Sequence, residues 1–172
     1  MPQDKEKLFT EWLESYKNLI FKVVNTYTSS AQDRDDLFQE ILLQLWSSIP
    51  NFKGSAKETT WIYRVALNTA LVWQRGEKRK NKKLLTEVSN VQQNEHRTDE
   101  QSEHQTVLEQ VYISIRKLSK SESSILLLYL DGLNYDQMAD VLGISKTNAG
   151  VRLNRAKKKL AQLMKGVIDD FR

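Results

Sequence analysis

The chain has 172 residues and a formal net charge of +4, with two prolines, six glycines and no cysteine. Disulfides, thiol chemistry and thiolate-held structural zinc are therefore excluded. No apolar run approaches the roughly 18 residues of a membrane span. The N-terminus, MPQDKEKLFTEW, lacks the apolar centre of a signal peptide, so a cytoplasmic location without membrane insertion is expected. So little punctuation in long stretches of helical periodicity predicts an all-α protein, and the length allows two small domains.

A first helix is predicted from about Asp4 to Tyr27, where Leu8, Phe9, Trp12, Leu13, Tyr16, Leu19, Ile20, Val23 and Tyr27 recur at three-to-four spacing. A polar break follows at Thr28–Gln32. Asp33 or Asp35 then opens a second helix, because carboxylates favour the positive N-terminal end. That helix carries Leu37, Phe38, Ile41, Leu42, Leu45, Trp46 and Ile49 and stops before Pro50. Asn51–Lys57 reads as a loop, and a third helix runs from about Glu58 to Arg75. Three such helices can share a core, so residues 1–75 form one expected domain. Residues 76–104 lack apolar periodicity and read as a flexible linker, basic at GEKRKNKK and acidic at NEHRTDEQSE. Residues 76–83 hold five basic side chains against one acidic, and residues 84–110 hold one against six. Residues 111–172 return to eleven against six, and two basic blocks around an acidic spacer suggest two anion-facing surfaces. His96 and His104 fall in the linker without metal-site spacing, so neither a metal nor a cofactor is expected.

The second domain is expected over 105–172. Leu108, Val111, Ile115 and Leu118 form a stripe. Ser119 and Glu122 have the spacing of a capping box. An apolar helix reaches Leu130, with Gly132 suited to its end. Asn134 and Gln137 open a short helix whose Tyr135, Met138, Ala139 and Leu142 share one face. Gly143 permits a left-handed turn, Ile144 fills the corner and Ser145 caps a second helix. Ala149, Leu153, Ala156, Leu160, Leu163 and Val167 form that helix's inner face. Asn148, Arg152, Arg155 and Lys159 lie opposite, with Lys146 and Thr147 at the N-terminal end. This is a helix-turn-helix pattern, whose second helix can enter the major groove and pair arginines with phosphates or guanine. A bundle helix with a solvated basic face has the same periodicity.

The segment LDGLNYDQMADVLGISKTNAGVRLNRAKKKL resembles region 4 of the extracytoplasmic-function (ECF) sigma factors. DRDDLFQEILLQLWSSIPNFKG, followed by TTWIYRVALNTALVWQR, resembles region 2 of the same family. The two lie in the family's order and cover most of the chain. The resemblance implies a region 2 bundle of three or four helices and a region 4 helix-turn-helix domain. It implies a transcription initiation factor that catalyses nothing itself and directs core RNA polymerase to promoters. Region 2 would dock on the β′ clamp helices through Asp36, Gln39, Glu40, Leu43 and Trp46. It would capture the minus-10 element as a single strand with Lys57, Thr59, Thr60, Trp61, Arg64, Asn68 and Arg75. Region 4 would sit on the β flap and bind the minus-35 duplex with Tyr135, Ser145, Lys146, Thr147, Asn148, Gly150, Val151, Arg152, Arg155 and Lys159.

Leu43 and Trp46 have an alternative place in the core, and so has Trp61, which is otherwise a stacking platform for bases. Val72 and Trp73 stand where the family commonly has an acidic residue. Gly150 replaces a usual basic residue and Val151 a small polar one. Gly150 either allows close backbone approach to DNA or marks weak reading of the minus-35 element, in which case a recruiting partner would supply specificity. An anti-sigma factor is the other partner the resemblance implies. A conventional regulator explains the helix-turn-helix but needs a dimer surface that the sequence does not display. An enzyme would need a nucleophile–base pair, a phosphate loop or a metal cluster, and none is present in the sequence.

Overall fold

A computed structural model describes residues 2–87 and 106–170. The described residues form helices α1 (Pro2–Tyr27), α2 (Ala31–Ser48), α3 (Glu58–Glu87), α4 (Val107–Arg116), α5 (Lys120–Leu130), α6 (Tyr135–Leu142) and α7 (Lys146–Asp170). A single 3-10 turn, Ile49–Asn51, follows α2, and no strand occurs among the described residues.

The first three helices pack on one another because each carries one apolar stripe that must leave water. Trp12, Ile20 and Val23 of α1, Leu37, Ile41 and Leu45 of α2, and Ile62, Tyr63 and Ala66 of α3 are all buried at the centre. The second helix starts earlier than its acidic residues suggest. Ser30 caps it, accepting the Asp33 amide at 3.1 Å, while Asp33 still occupies the favourable first turn. Pro50 does not end the chain's helical path outright. It sits in the first turn of the 3-10 segment, where its missing N–H costs nothing, and Phe52 N closes that turn on Ile49 O at 3.0 Å.

The third helix differs from expectation in length. It continues past Arg75 through Gly76 and the basic run to Glu87, so residues 76–87 are helical rather than irregular linker. Lys, Arg, Glu and Leu are good helix formers without any apolar stripe. A Glu77–Lys80 pair at 3.1 Å adds support one turn apart. Apolar periodicity reports a packed face, and an exposed helix has none to report. The rest of the expected linker, with His96 and His104, lies outside the described residues.

In the second unit every helix start carries a cap. Thr106 caps α4 by accepting the Glu109 amide, and Ser119–Glu122 and Asn134–Gln137 form complete capping boxes on α5 and α6. Gly143 ends α6 at φ 65°, ψ 38°. That conformation would strain a side-chain-bearing residue by about 1–2 kcal/mol, and it is what turns the chain into α7. Ile115, Ile125, Leu126, Leu128, Met138, Ala149, Leu153 and Ala156 fill the core. Five positions depart from the expected apolar faces. Leu108, Tyr135 and Leu163 are exposed, whereas Val141 and Met164 are buried. On α6 the reason is a second neighbour: α3 packs against it and covers Val141. On α7 the buried face drifts by one residue over four turns, and Met164 Sδ meets Ser114 Oγ of α4 at 3.2 Å.

The two units also pack on each other. Helix α3 lies against α6, and α1 against α4 and α5. Their buried side chains form one continuous cluster.

Candidate functional site

The polymerase-docking candidates stand on the outer face of α2. Asp36, Gln39 and Trp46 are exposed, Glu40 is half-buried, and Leu43 is 60% exposed. The core reading of Leu43 is thereby overturned: Leu37, Ile41 and Leu45 take the inner face instead. Trp46 also looks outward, with Phe9 edge-on at 5.3 Å and Lys5 Nζ 4.3 Å from its ring centroid. Glu40 accepts a hydrogen bond from Gln44 Nε2 at 3.0 Å. An exposed leucine and tryptophan flanked by carboxylates is a surface with an apolar centre and a polar rim, the general make-up of a protein interface.

The single-strand candidates lie along the start of α3 and the loop before it. Lys57, Asn68 and Arg75 are exposed, Thr59 is half-buried and Thr60 is buried. Trp61 is half-buried. Its Nε1 donates to Ser48 Oγ at 3.2 Å and its ring tilts onto Phe52 at 5.5 Å. Phe52 in turn meets Trp12 at 5.3 Å. Trp61 is thus anchored in the bundle and stays partly exposed. Arg64 does not project freely, because its Nε donates to the Asp140 carbonyl of α6 at 2.8 Å. Lys57, Thr60 and Arg64 line one wall of a cleft of about 600 Å³ whose other wall is Asn134, Asp136, Gln137 and Asp140.

In the helix-turn-helix, Ser145 caps α7 by accepting the Asn148 amide at 3.1 Å. Thr147, Val151 and Arg155 are exposed. Lys146 is exposed and pairs with Asp136 at 2.9 Å, and Lys159 pairs with Glu122 at 2.5 Å. That lysine, with the Ser119 backbone N–H and hydroxyl, holds the Glu122 carboxyl below its usual range. Arg152 bends over the start of α5, donating to Ser121 Oγ at 3.0 Å and to Asn148 Oδ1 at 3.2 Å. Gly150 is a helical residue beside Tyr135, whose Cε1 would lie 3.8 Å from a Cβ at position 150. Tyr135 therefore lies beside Gly150, Arg152 joins Asn148 of its own helix to Ser121 of α5, and Arg155 lies one turn further along α7.

A further set of polar groups joins the two units, and sequence reasoning did not single it out. Asp131 accepts hydrogen bonds from Lys22 Nζ and Tyr63 Oη. Arg116 Nη1 donates to the carbonyls of Asn25 and Thr28 at 2.8 and 3.0 Å. Tyr27 Oη and Ser124 Oγ lie 2.6 Å apart. Burial pushes the Tyr27 phenol up to about 12, against a lowering by Ser124. Burial also raises the Tyr63 phenol, and the Asp131 carboxylate adds to it. Among the described residues no group of His, Asp or Glu is arranged to hold a metal ion, and no helix is long and apolar enough to cross a membrane.

Comparison with known proteins agrees with this division. A family model described as Sigma-70 region 2 matches residues 12–80, and one described as Sigma-70, region 4 matches residues 108–160. The chain is 26% identical over 167 residues to the ECF RNA polymerase sigma-E factor of Haemophilus influenzae, covering 92% of this chain and 88% of that protein. It is 27% identical over 164 residues to the RNA polymerase sigma factor YlaC of Bacillus subtilis, covering 92% and 91%. Its fold is similar to the sigma factor RpoE of Bartonella quintana, solved in complex with the anti-sigma factor NepR. The TM-score is 0.69 at 18% identity, covering 92% of this chain and 98% of that one. CnrH, solved with the cytosolic domain of CnrY, gives 0.66 at 17% identity, with 94% and 90% covered.

Proposed function

The chain belongs to the RNA polymerase sigma factors of the extracytoplasmic-function type, and from that premise we propose how its two helical units share promoter recognition. It is a transcription initiation factor, with core RNA polymerase and promoter DNA as its partners. The polymerase performs the chemistry; this chain works in the cytoplasm by binding alone. Its first domain extends to the basic end of α3, its second begins at α4, and the chain between them connects the two.

The outer face of α2, with Asp36, Gln39, Glu40, Leu43 and Trp46, docks on the β′ clamp helices, and region 4 docks on the β flap. Lys57, Thr59, Thr60, Trp61, Arg64, Asn68 and Arg75 take the minus-10 element as a single strand. Cations pair with its phosphates, and the exposed part of the Trp61 ring offers a face on which an unstacked base stacks, which is worth about 1–3 kcal/mol per base. Tyr135, Ser145, Lys146, Thr147, Asn148, Gly150, Val151, Arg152, Arg155 and Lys159 form the minus-35 duplex surface. Thr147 and Val151 face base edges, and Arg155 and Lys159 reach phosphates. An anti-sigma factor, or a recruiting partner where minus-35 reading is weak, sets when the factor acts.

The observation that carries this reading is the match of both region models, in order, to the two structural units of one chain. A promoter-binding assay with fluorescent duplex and artificially bubbled DNA tests the residue roles. Arg155→Ala should weaken duplex binding and reduce the salt slope by about one released ion. Trp61→Ala should weaken binding to the bubble more than to the duplex. Equal losses on both DNAs would assign Trp61 to folding instead.

A further inference from the structure

Base reading by α7 depends on which side chains of its first two turns are free to meet base edges. The start of that helix is fixed by the Ser145 cap and by the left-handed turn at Gly143. Ala149 is buried, and Gly150 brings no side chain. The polar groups of these turns are turned back on the protein. Lys146 pairs with Asp136 of α6. Arg152 is half-buried and donates to Ser121 Oγ of α5, while its Nε donates to the Asn148 side-chain carbonyl. Arginine and asparagine are the residues that pair with guanine and adenine through two hydrogen bonds, and here they are engaged with each other.

Two side chains remain outward. Thr147 is exposed, and Val151, one turn on and therefore on the same face, is 44% exposed. A single exposed valine is ordinary on a protein surface. This one costs helix propensity through its branched Cβ and gains no burial in return, on the face proposed to meet the duplex. Of the DNA bases only thymine carries an apolar group on its major-groove edge, the C5 methyl; guanine, cytosine and adenine show donors and acceptors alone. Valine against that methyl removes apolar surface of both partners from water. Against another base it would leave a polar atom dry and unpaired, which is unfavourable.

We propose that Val151 is a specificity-determining residue that reads a thymine of the minus-35 element through its C5 methyl group, with the Thr147 methyl extending the same apolar patch. This deepens the duplex reading of region 4 given above and rests on it. Arg155, exposed one turn beyond Val151, meets phosphate; that contact sets the register of the helix and carries no base information.

The test uses the full chain with core polymerase and a duplex library randomised over the minus-35 element. The tightest-binding duplex is then synthesised with deoxyuridine in place of each thymine in turn. That change removes one methyl group and keeps every donor and acceptor. Fluorescence anisotropy of the labelled duplexes gives the affinities. At least one substitution should weaken wild-type binding roughly fourfold, the worth of one buried methyl group. Val151→Ala should lose a similar factor on the thymine duplex, and deoxyuridine at that position should then cost the variant nothing more. Alanine is a better helix former than valine, and the wild-type comparison of two DNAs involves no variant, so a folding defect cannot imitate the effect. Binding insensitive to deoxyuridine at every thymine would overturn the thymine contact. So would an equal loss in Val151→Ala on both duplexes, or selection of an element made only of G·C pairs. Where Arg155→Ala still weakens binding, α7 stays on the duplex and only the thymine contact falls. Where Arg155→Ala, Val151→Ala and deoxyuridine all leave affinity unchanged, the minus-35 assignment of α7 falls with it.

Discussion

Replacing Gly150 by alanine separates two accounts of an unusual recognition helix. Gly150 is inside α7 with an ordinary helical backbone, and a Cβ there meets only Tyr135 Cε1, at 3.8 Å, an ordinary contact. Nothing has to move. The helix then gains the full propensity difference between glycine and alanine, about 1 kcal/mol. With a urea dependence of about 1–3 kcal/mol per molar for a small protein, the unfolding midpoint should rise by roughly 0.3–1 M. Urea titration followed by far-ultraviolet circular dichroism measures it. The new methyl group points at the Tyr135 ring rather than into open space, so duplex affinity should change by less than about twofold, well under 1 kcal/mol. A fall in the urea midpoint would refute the helical-interior account. A stabilised Gly150→Ala protein with several-fold weaker duplex binding would show that the DNA backbone approaches this position too closely for a side chain.

Three further outcomes follow from the geometry. Leu43→Asp should leave stability within about 0.5 kcal/mol, as expected at an exposed site, yet weaken association with core polymerase at least about tenfold; surface plasmon resonance with immobilised core enzyme decides it, and unchanged affinity removes α2 from the interface. Ile41→Ala, two residues away on the buried face, should do the reverse, costing about 2–5 kcal/mol of stability in the same urea assay. The Tyr27 phenol, raised by burial to about 12 in the folded protein, ionises near 10 when unfolded. Its contribution is complete below pH 10 and is lost as the pH rises toward 12, on the order of 2–3 kcal/mol. The stability of Tyr27→Phe should therefore decline less steeply over that window, and a profile superimposable on wild type would contradict the burial.

The helix-turn-helix was legible because its signals are local. Asn134 and Gln137 are three residues apart, Gly143 sits at the required turn, and the small residues Ala149 and Ala156 recur at seven. The order of the helices was legible for the same reason. Periodicity could not say which side of α2 faces outward, since Leu42, Leu43, Leu45 and Trp46 fit two overlapping stripes; packing against α1 and α3 resolved it. The late part of α3 was hidden because exposed charged helices carry no apolar pattern. Least legible was the seam between the units. Lys22 and Asp131 are 109 residues apart, and Val141 is buried only because α3 comes to lie on α6. The seam left one local trace, an aspartate at the wrong pole of α5 for the helix dipole.

The central claim is that this chain confers promoter selectivity on core RNA polymerase. Multi-round transcription with purified core enzyme, wild-type factor and a pool of promoter fragments tests it most directly. The account predicts that the factor co-purifies with core enzyme and produces transcripts from a restricted subset of fragments, with Leu43→Asp abolishing both. Failure to associate with core enzyme, together with a transcript pattern identical to core enzyme alone, would contradict it.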